Sequence, residues 1–92
     1  MEEVTQAAIK TKMMMILGMA YEISTETKAD VFVYYFPHTK SIDIHVFKDG
    51  WHAEADADFR WDTYNATKQE LNEIIEKLQK LHAELIKEGK VL

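Results

Sequence analysis

Apolar residues recur at three- and four-residue steps through the first quarter of this chain. That spacing places them on one face of a helix, and we predict a helix from Glu3 to Ser24. A run of three methionines ending at Met15, together with Leu17, widens the apolar stripe beyond one face. A helix that is apolar nearly all round is covered on two sides or contacts a partner.

A second helix is predicted to begin near Thr67. Thr67 and Glu70 have the spacing of a capping box, in which each side chain bonds the backbone amide of the other. The stripe that follows recurs with helical spacing: Leu71, Ile74, Ile75, Leu78, Leu81, His82 and Leu85. Gly89 is predicted to end this helix, because glycine tolerates the left-handed conformation that helix C-termini often adopt.

The segment between the two helices has the patterns of strands. Residues 31–36 are β-branched and aromatic, residues 41–48 alternate apolar and polar side chains, and residues 51–59 continue that alternation. We predict a four-residue turn at Pro37–Lys40 between the first two strands. Asp49-Gly50 predicts a two-residue hairpin turn between the second and third strands, because both central positions of such a turn need positive φ.

These turns decide which residues face each other across the sheet. The first pairs Phe36 with Ser41, and the second pairs Lys48 with Trp51. One face then carries mainly aliphatic and small side chains. The second face carries aromatic, acidic and histidine side chains: Phe32, Tyr34, Phe36, Asp43, His45, Phe47, His52, Glu54, Asp56 and Asp58. The predicted fold is one α+β domain over residues 1–92, a three-stranded antiparallel meander in the order α-β-β-β-α.

Both helices are predicted to pack on the aliphatic face, which leaves the second face open, as an antiparallel sheet tolerates. The carboxylates on the second face favour this arrangement, because burial of unpaired charge is costly. The alternative places one helix on each face. The first helix would then cover the aromatic row Phe32, Tyr34 and Phe36, and those rings would belong to the core.

Composition disfavours several classes of function. The chain has 92 residues and no cysteine, so it has no disulfide framework and no thiolate zinc site, which fits a reducing compartment. No apolar run approaches the ~18 residues of a membrane span. A formal charge of −5 disfavours nucleic-acid binding, which needs a basic surface, and suits a partner protein with a basic surface.

The second face is the predicted binding site for a partner protein, because large exposed apolar patches usually mark interfaces. The alternative is a self-associating homodimer formed through the second face or through the outer side of the first helix. Asp43 is predicted to face Asp56, a like-charge pair that a basic partner would neutralise. An alternative, a small metal-dependent enzyme, would use His45, His52, Glu54 and Asp56. Residues two apart on a strand lie roughly 7 Å apart, however, so we assign no metal ligand, catalytic residue or cofactor.

Two motifs, Tyr35-Phe36-Pro37-His38 and Phe47-Lys48-Asp49-Gly50-Trp51, carry a resemblance to known proteins. With the strand between them, they resemble small uncharacterised phage and prophage proteins of Gram-positive bacteria, in which an aromatic-rich strand follows a helix. Such proteins often bind a host protein and inhibit or redirect it. Anti-CRISPR proteins are one such class, often acidic and occupying basic nucleic-acid sites. The resemblance implies a non-enzymatic, inhibitor-like binding protein in the cytoplasm of a bacterial host cell.

Overall fold

The computed structural model describes residues 2–63 and 66–92. The chain forms, in order, α1 (Glu2–Glu26), β1 (Asp30–Phe36), β2 (Ser41–Phe47), β3 (Phe59–Asp62) and α2 (Lys68–Lys87). The strands pair antiparallel in one sheet of order β1-β2-β3. The predicted α-β-β-β-α order and the antiparallel meander are therefore confirmed.

The capping box predicted at the start of α2 is present. The Thr67 hydroxyl accepts a hydrogen bond from the Glu70 amide at 3.2 Å, and the Glu70 carboxylate accepts one from the Thr67 amide at 3.3 Å. The predicted apolar stripe of α2 is buried at Leu71, Ile74, Ile75, Leu78, Leu81 and Leu85. Gly89 follows the helix with φ of +75°, as a helix C-terminus favours.

The core lies between one face of the sheet and both helices. β2 contributes Ile42, Ile44 and Val46, all nearly or fully buried. They join one cluster with α1 residues Ile16 and Ile23 and with the buried stripe of α2. Because one side of the sheet receives both helices, the predicted packing of the helices on the aliphatic face is confirmed.

The first hairpin has the predicted register. Residues 37–40 form the turn, and Phe36 faces Ser41, with the pairing continuing to Val31 opposite Val46. Val31 and Val33 pack against the core. Alternation along β1 therefore directs Phe32, Tyr34 and Phe36 to the other side of the sheet.

The predicted two-residue turn at Asp49-Gly50 is wrong. The Gly50 amide donates to the Phe47 carbonyl at 3.1 Å, so the turn is centred on Lys48 and Asp49, one residue earlier. Gly50 adopts φ of +91°, and a Cβ there would lie 3.3 Å from the Lys28 carbonyl oxygen. The Trp51 amide then donates to the Asp30 carboxylate at 2.8 Å. These contacts carry the chain past the start of β1 instead of back along β2.

The third strand is Phe59–Asp62, and the predicted strand over residues 51–59 is wrong. Phe59 and Trp61 face Val46 and Ile44, and half-buried Trp61 packs on the core. Residues 53–57 are alanines and acids, which favour strands poorly and bury less apolar surface than the two aromatic rings. The predicted placement of four residues on this strand is therefore also wrong: His52, Glu54, Asp56 and Asp58 lie in the loop over residues 48–58.

Candidate functional site on the open face of the sheet

The sheet face opposite the helices is called the open face here, and strand alternation supplies its side chains. They are Asp30, Phe32, Tyr34 and Phe36 from β1, Asp43, His45 and Phe47 from β2, and Arg60 and Asp62 from β3. The register sets them in rows across the sheet. One row is Phe32, His45 and Arg60, and the next is Tyr34, Asp43 and Asp62.

An aromatic cluster occupies one end of the open face. The Phe32 ring packs edge-on against Phe47 with centroids 5.4 Å apart, and it lies 6.3 Å from Tyr34 and 6.4 Å from Trp51. Phe47 is only 7% exposed, so it supports the cluster from below. Tyr34, Phe36 and Trp51 are 40%, 43% and 54% exposed, so they present aromatic surface to solvent.

Two carboxylates face each other beside this cluster. Asp43 lies opposite Asp62, so the predicted pairing of Asp43 with Asp56 is wrong although the like-charge pair exists. Burial raises the pKa of Asp43, and the charge of Asp62 raises it further. The charge of His45 and the backbone amide of Thr63 partly offset that rise in pKa. Within the described residues, neither of the facing carboxylates forms an ion pair.

Asp62 is held in place by the residue that follows it. The buried Thr63 hydroxyl accepts from the Ile42 amide at 2.8 Å and donates to the Ile42 carbonyl at 2.9 Å. The Thr63 amide also donates to that carbonyl, at 3.1 Å. These bonds extend the pairing of β3 with β2 past Asp62. They fix the backbone next to both carboxylates, before Asp43 on β2 and after Asp62 on β3.

Asp43, His45 and Asp62 bring metal-binding atoms together. One nitrogen or oxygen from each lies within 4.8 Å of the other two. Asp43 and His45 are half-buried, and Asp62 is exposed. Among the residues that the structure describes, the alternative set predicted from the sequence, in which His45 joins His52, Glu54 and Asp56, does not form such a group.

The acidic loop over residues 48–58 borders the open face at Trp51. Besides the Asp30 contact at Trp51, the Asp58 carboxylate accepts from the Lys48 amide at 2.8 Å, which closes the loop on itself. Lys90 lies 2.9 Å from the Asp49 carboxylate and lowers its pKa through a hydrogen bond and charge. The loop thus holds Trp51 against Phe32, and Asp58 serves to anchor the loop.

Three residues of the site were not predicted as site residues. Arg60 and Asp62 lie just past the predicted third strand, and Trp51 was assigned to the first position of that strand. A signal existed, because Phe59-Arg60-Trp61-Asp62 alternates aromatic and charged residues. That alternation is typical of a half-buried strand.

Replacing Asp62 with asparagine is expected to stabilise the fold at neutral pH. Facing like charges on a sheet cost about 0.2–1 kcal/mol, which corresponds to a rise of roughly 1–8 °C in the unfolding midpoint of a domain of this size. Because the pKa of Asp43 is raised in the folded state, its contribution to stability is greatest below its unfolded value and is lost as the pH rises through the folded value.

The gain from Asp62→Asn should therefore appear near neutral pH and disappear in acid, where both carboxylates are protonated. The measurement is thermal unfolding followed by circular dichroism across this pH range, with EDTA present. Asp56→Asn, an acid of the loop, is the matched control and should leave the midpoint unchanged. An Asp62→Asn midpoint at or below that of the parent chain at neutral pH would show that the facing carboxylates do not repel.

Comparison with known protein families, curated proteins and solved structures found no match to this chain. The helices within the described residues do not reach the combination of length and apolarity needed to cross a membrane. The geometry of the open face is therefore the basis for assigning a function.

Proposed function

We propose that this chain is a non-enzymatic protein-binding module and that the open face is its docking surface. The observation that carries the proposal is the exposure of three rings, Tyr34, Phe36 and Trp51, on the sheet face that neither helix covers. Tyrosine and tryptophan are enriched among the residues that dominate binding energy in protein interfaces. A monomeric protein seldom exposes grouped aromatic surface without a use for it.

The packing of the aromatic cluster supports this proposal. Phe32 contacts the rings of Phe47, Tyr34 and Trp51, and two loop anchors hold Trp51 in place. Because these contacts restrain the rings before binding, docking would cost less conformational entropy than it would for a loop without them. The open face is thus prepared to bury a partner's apolar side chains.

The charges around the rings indicate the chemistry of the partner. Asp30, Asp43 and Asp62 lie on the strands of the open face, where Arg60 is the one cation from a described strand. The bordering loop adds further acids: Glu54, Asp56 and Asp58. Complementary charge speeds association and selects partners. We therefore propose a partner that offers lysine or arginine side chains around an apolar centre.

A host protein with a basic nucleic-acid-binding surface has this chemistry. The phage resemblance of the two turn motifs supports a partner in the cytoplasm of a bacterial cell. In that setting the acidic face would exclude nucleic acid from the basic surface, so the chain would act as an inhibitor in the manner of anti-CRISPR proteins. A net charge of −5 disfavours direct binding of the chain to nucleic acid.

A second candidate function is self-association through α1. Met14, Leu17 and Tyr21 are each more than 60% exposed, and their spacing puts them on one side of the helix. A groove of about 690 Å³ beside them lies between α1 and β1 and is lined by Met13, Val33 and Tyr35 among others. This surface is distinct from the open face.

Light scattering coupled to size-exclusion chromatography separates the two candidates. The proposed module should elute with the mass of one chain, 10.7 kDa, over a wide range of concentration. Adding a purified partner captured from a Gram-positive host lysate should shift it to a complex of defined stoichiometry. Nucleic acid should compete with that complex. A mass of twice the chain at every concentration, with no shift on adding captured protein, would favour the structural homodimer instead.

A further inference from the structure

Three metal-ligating side chains on the open face come from facing positions of β2 and β3. Asp43 faces Asp62 across the two strands, and His45 is two residues from Asp43 on the same side of β2. One donor atom from each lies within 4.8 Å of the other two. The arrangement joins two carboxylates to an imidazole, which distinguishes it from a patch of acids alone.

The strands bring these carboxylates together where ordinary sheet energetics would separate them. Directly opposed like charges destabilise a pair of strands, and neither carboxylate has a cation as ion-pair partner within the described chain. Arg60, on the same face, lies opposite His45 and not opposite either acid. The bonds of Thr63 to Ile42 keep the backbone from relaxing the contact. A cation shared by both carboxylates would turn this repulsion into attraction.

The donor set indicates which cation. Magnesium and calcium prefer oxygen ligands, whereas imidazole with carboxylates suits zinc and other divalent transition metals. We propose that Asp43, His45 and Asp62 form a binding site for a divalent transition-metal ion, with Zn²⁺ as the best fit. This inference does not depend on the proposed protein partner, since the metal would bind to the isolated chain.

The distances are compatible with closure around such an ion. Ligand bonds of about 2.0–2.2 Å place neighbouring donors of a tetrahedral zinc site roughly 3.4 Å apart. Donor atoms now within 4.8 Å would have to approach by up to about 1.4 Å to reach that spacing. Closure would require rotation of exposed Asp62 and of half-buried His45, whose ring centroid lies 4.7 Å from that of Tyr34. The fourth position would face solvent, or a ligand supplied by a partner.

Isothermal titration calorimetry of the untagged, metal-free chain with ZnCl₂ tests the proposal. We expect saturable binding of one ion per chain, and magnesium in excess should not displace it. Asp62→Asn and His45→Ala should each weaken zinc binding by at least about tenfold. Removing a residue that only supports a metal ligand already costs about that much affinity, and removing the ligand itself costs more. Zinc should also raise the unfolding midpoint of the parent chain by more than that of Asp62→Asn at the same zinc concentration.

Matched controls are His52→Ala and Asp56→Asn, the same residue types in the loop, which should bind zinc like the parent chain. Absence of saturable binding at millimolar zinc would overturn the proposal. So would unchanged affinity in Asp62→Asn, or a loss of affinity confined to His52→Ala. If His45→Ala fails to fold, Asp62→Asn decides the outcome, because that side chain is exposed and its neutralisation relieves repulsion.

Discussion

Replacing Ile44 with alanine is expected to lower the free energy of unfolding by about 2–5 kcal/mol, the range for a buried isoleucine truncated in a core. Ile44 is fully buried at the centre of β2. It faces Val33 on β1 and Trp61 on β3, and both of these pack on the core. The side chains of Val33 and Trp61 are not expected to move into the cavity, because strand pairing on both sides of Ile44 holds their backbones in place.

Urea denaturation followed by circular dichroism measures this loss. Tyr34→Ala is the matched comparison, since it truncates a larger side chain one row away on the open face. Its cost should stay near 1 kcal/mol, the worth of its ring contacts with Phe32 and His45. Comparable losses for the two variants would mean that the open face is part of the core.

The helices and the first hairpin could be predicted because their signals are local. The Thr67–Glu70 capping box and the stripe behind it depend on residues within a few turns of one helix. The turn at residues 37–40 joins two strands whose alternation agrees with their register, and a slip by one residue would have exposed the apolar side of β2. Each of these elements has several independent signals.

The second hairpin could not be predicted from Asp49-Gly50, because distant residues decide the path of the chain there. The Asp30 carboxylate, on another strand, binds the Trp51 amide, and Gly50 lies against the Lys28 carbonyl. A turn motif reports only local conformational preference. Burial of the Phe59 and Trp61 rings gives a larger hydrophobic stabilisation than burial of the alanines before them. This difference favours a third strand that begins at Phe59.

The candidate site was predicted only in part, because the position of its third strand depends on the same distant contacts. Phe32, Tyr34 and Phe36, with Asp43 and His45, lie on the face that the first hairpin assigned to them. The facing carboxylate was expected from Asp56 and comes from Asp62, because the third strand begins later along the chain. His52, Glu54 and Asp58 were assigned to the same predicted strand as Asp56, so their placement is wrong for the same reason. What the sequence could not reveal was the length of the connection between β2 and β3.

Tyr34→Ala is expected to weaken binding of the captured partner by at least about 30-fold, the effect of losing a dominant interface residue worth 2 kcal/mol or more. Tyr34 is exposed at the centre of the open face, between the rings of Phe32 and His45. Docking there would bury its ring and desolvate the neighbouring carboxylates. Tyr35→Ala removes the same side chain from the next position of β1, on the helix side of the sheet.

Affinities of the parent chain, Tyr34→Ala and Tyr35→Ala for the purified partner test the docking surface most directly. The loss should be confined to Tyr34→Ala, with Tyr35→Ala within about threefold of the parent chain and all three chains folded. Equal affinity for Tyr34→Ala and the parent chain, or a loss confined to Tyr35→Ala, would contradict docking through the open face.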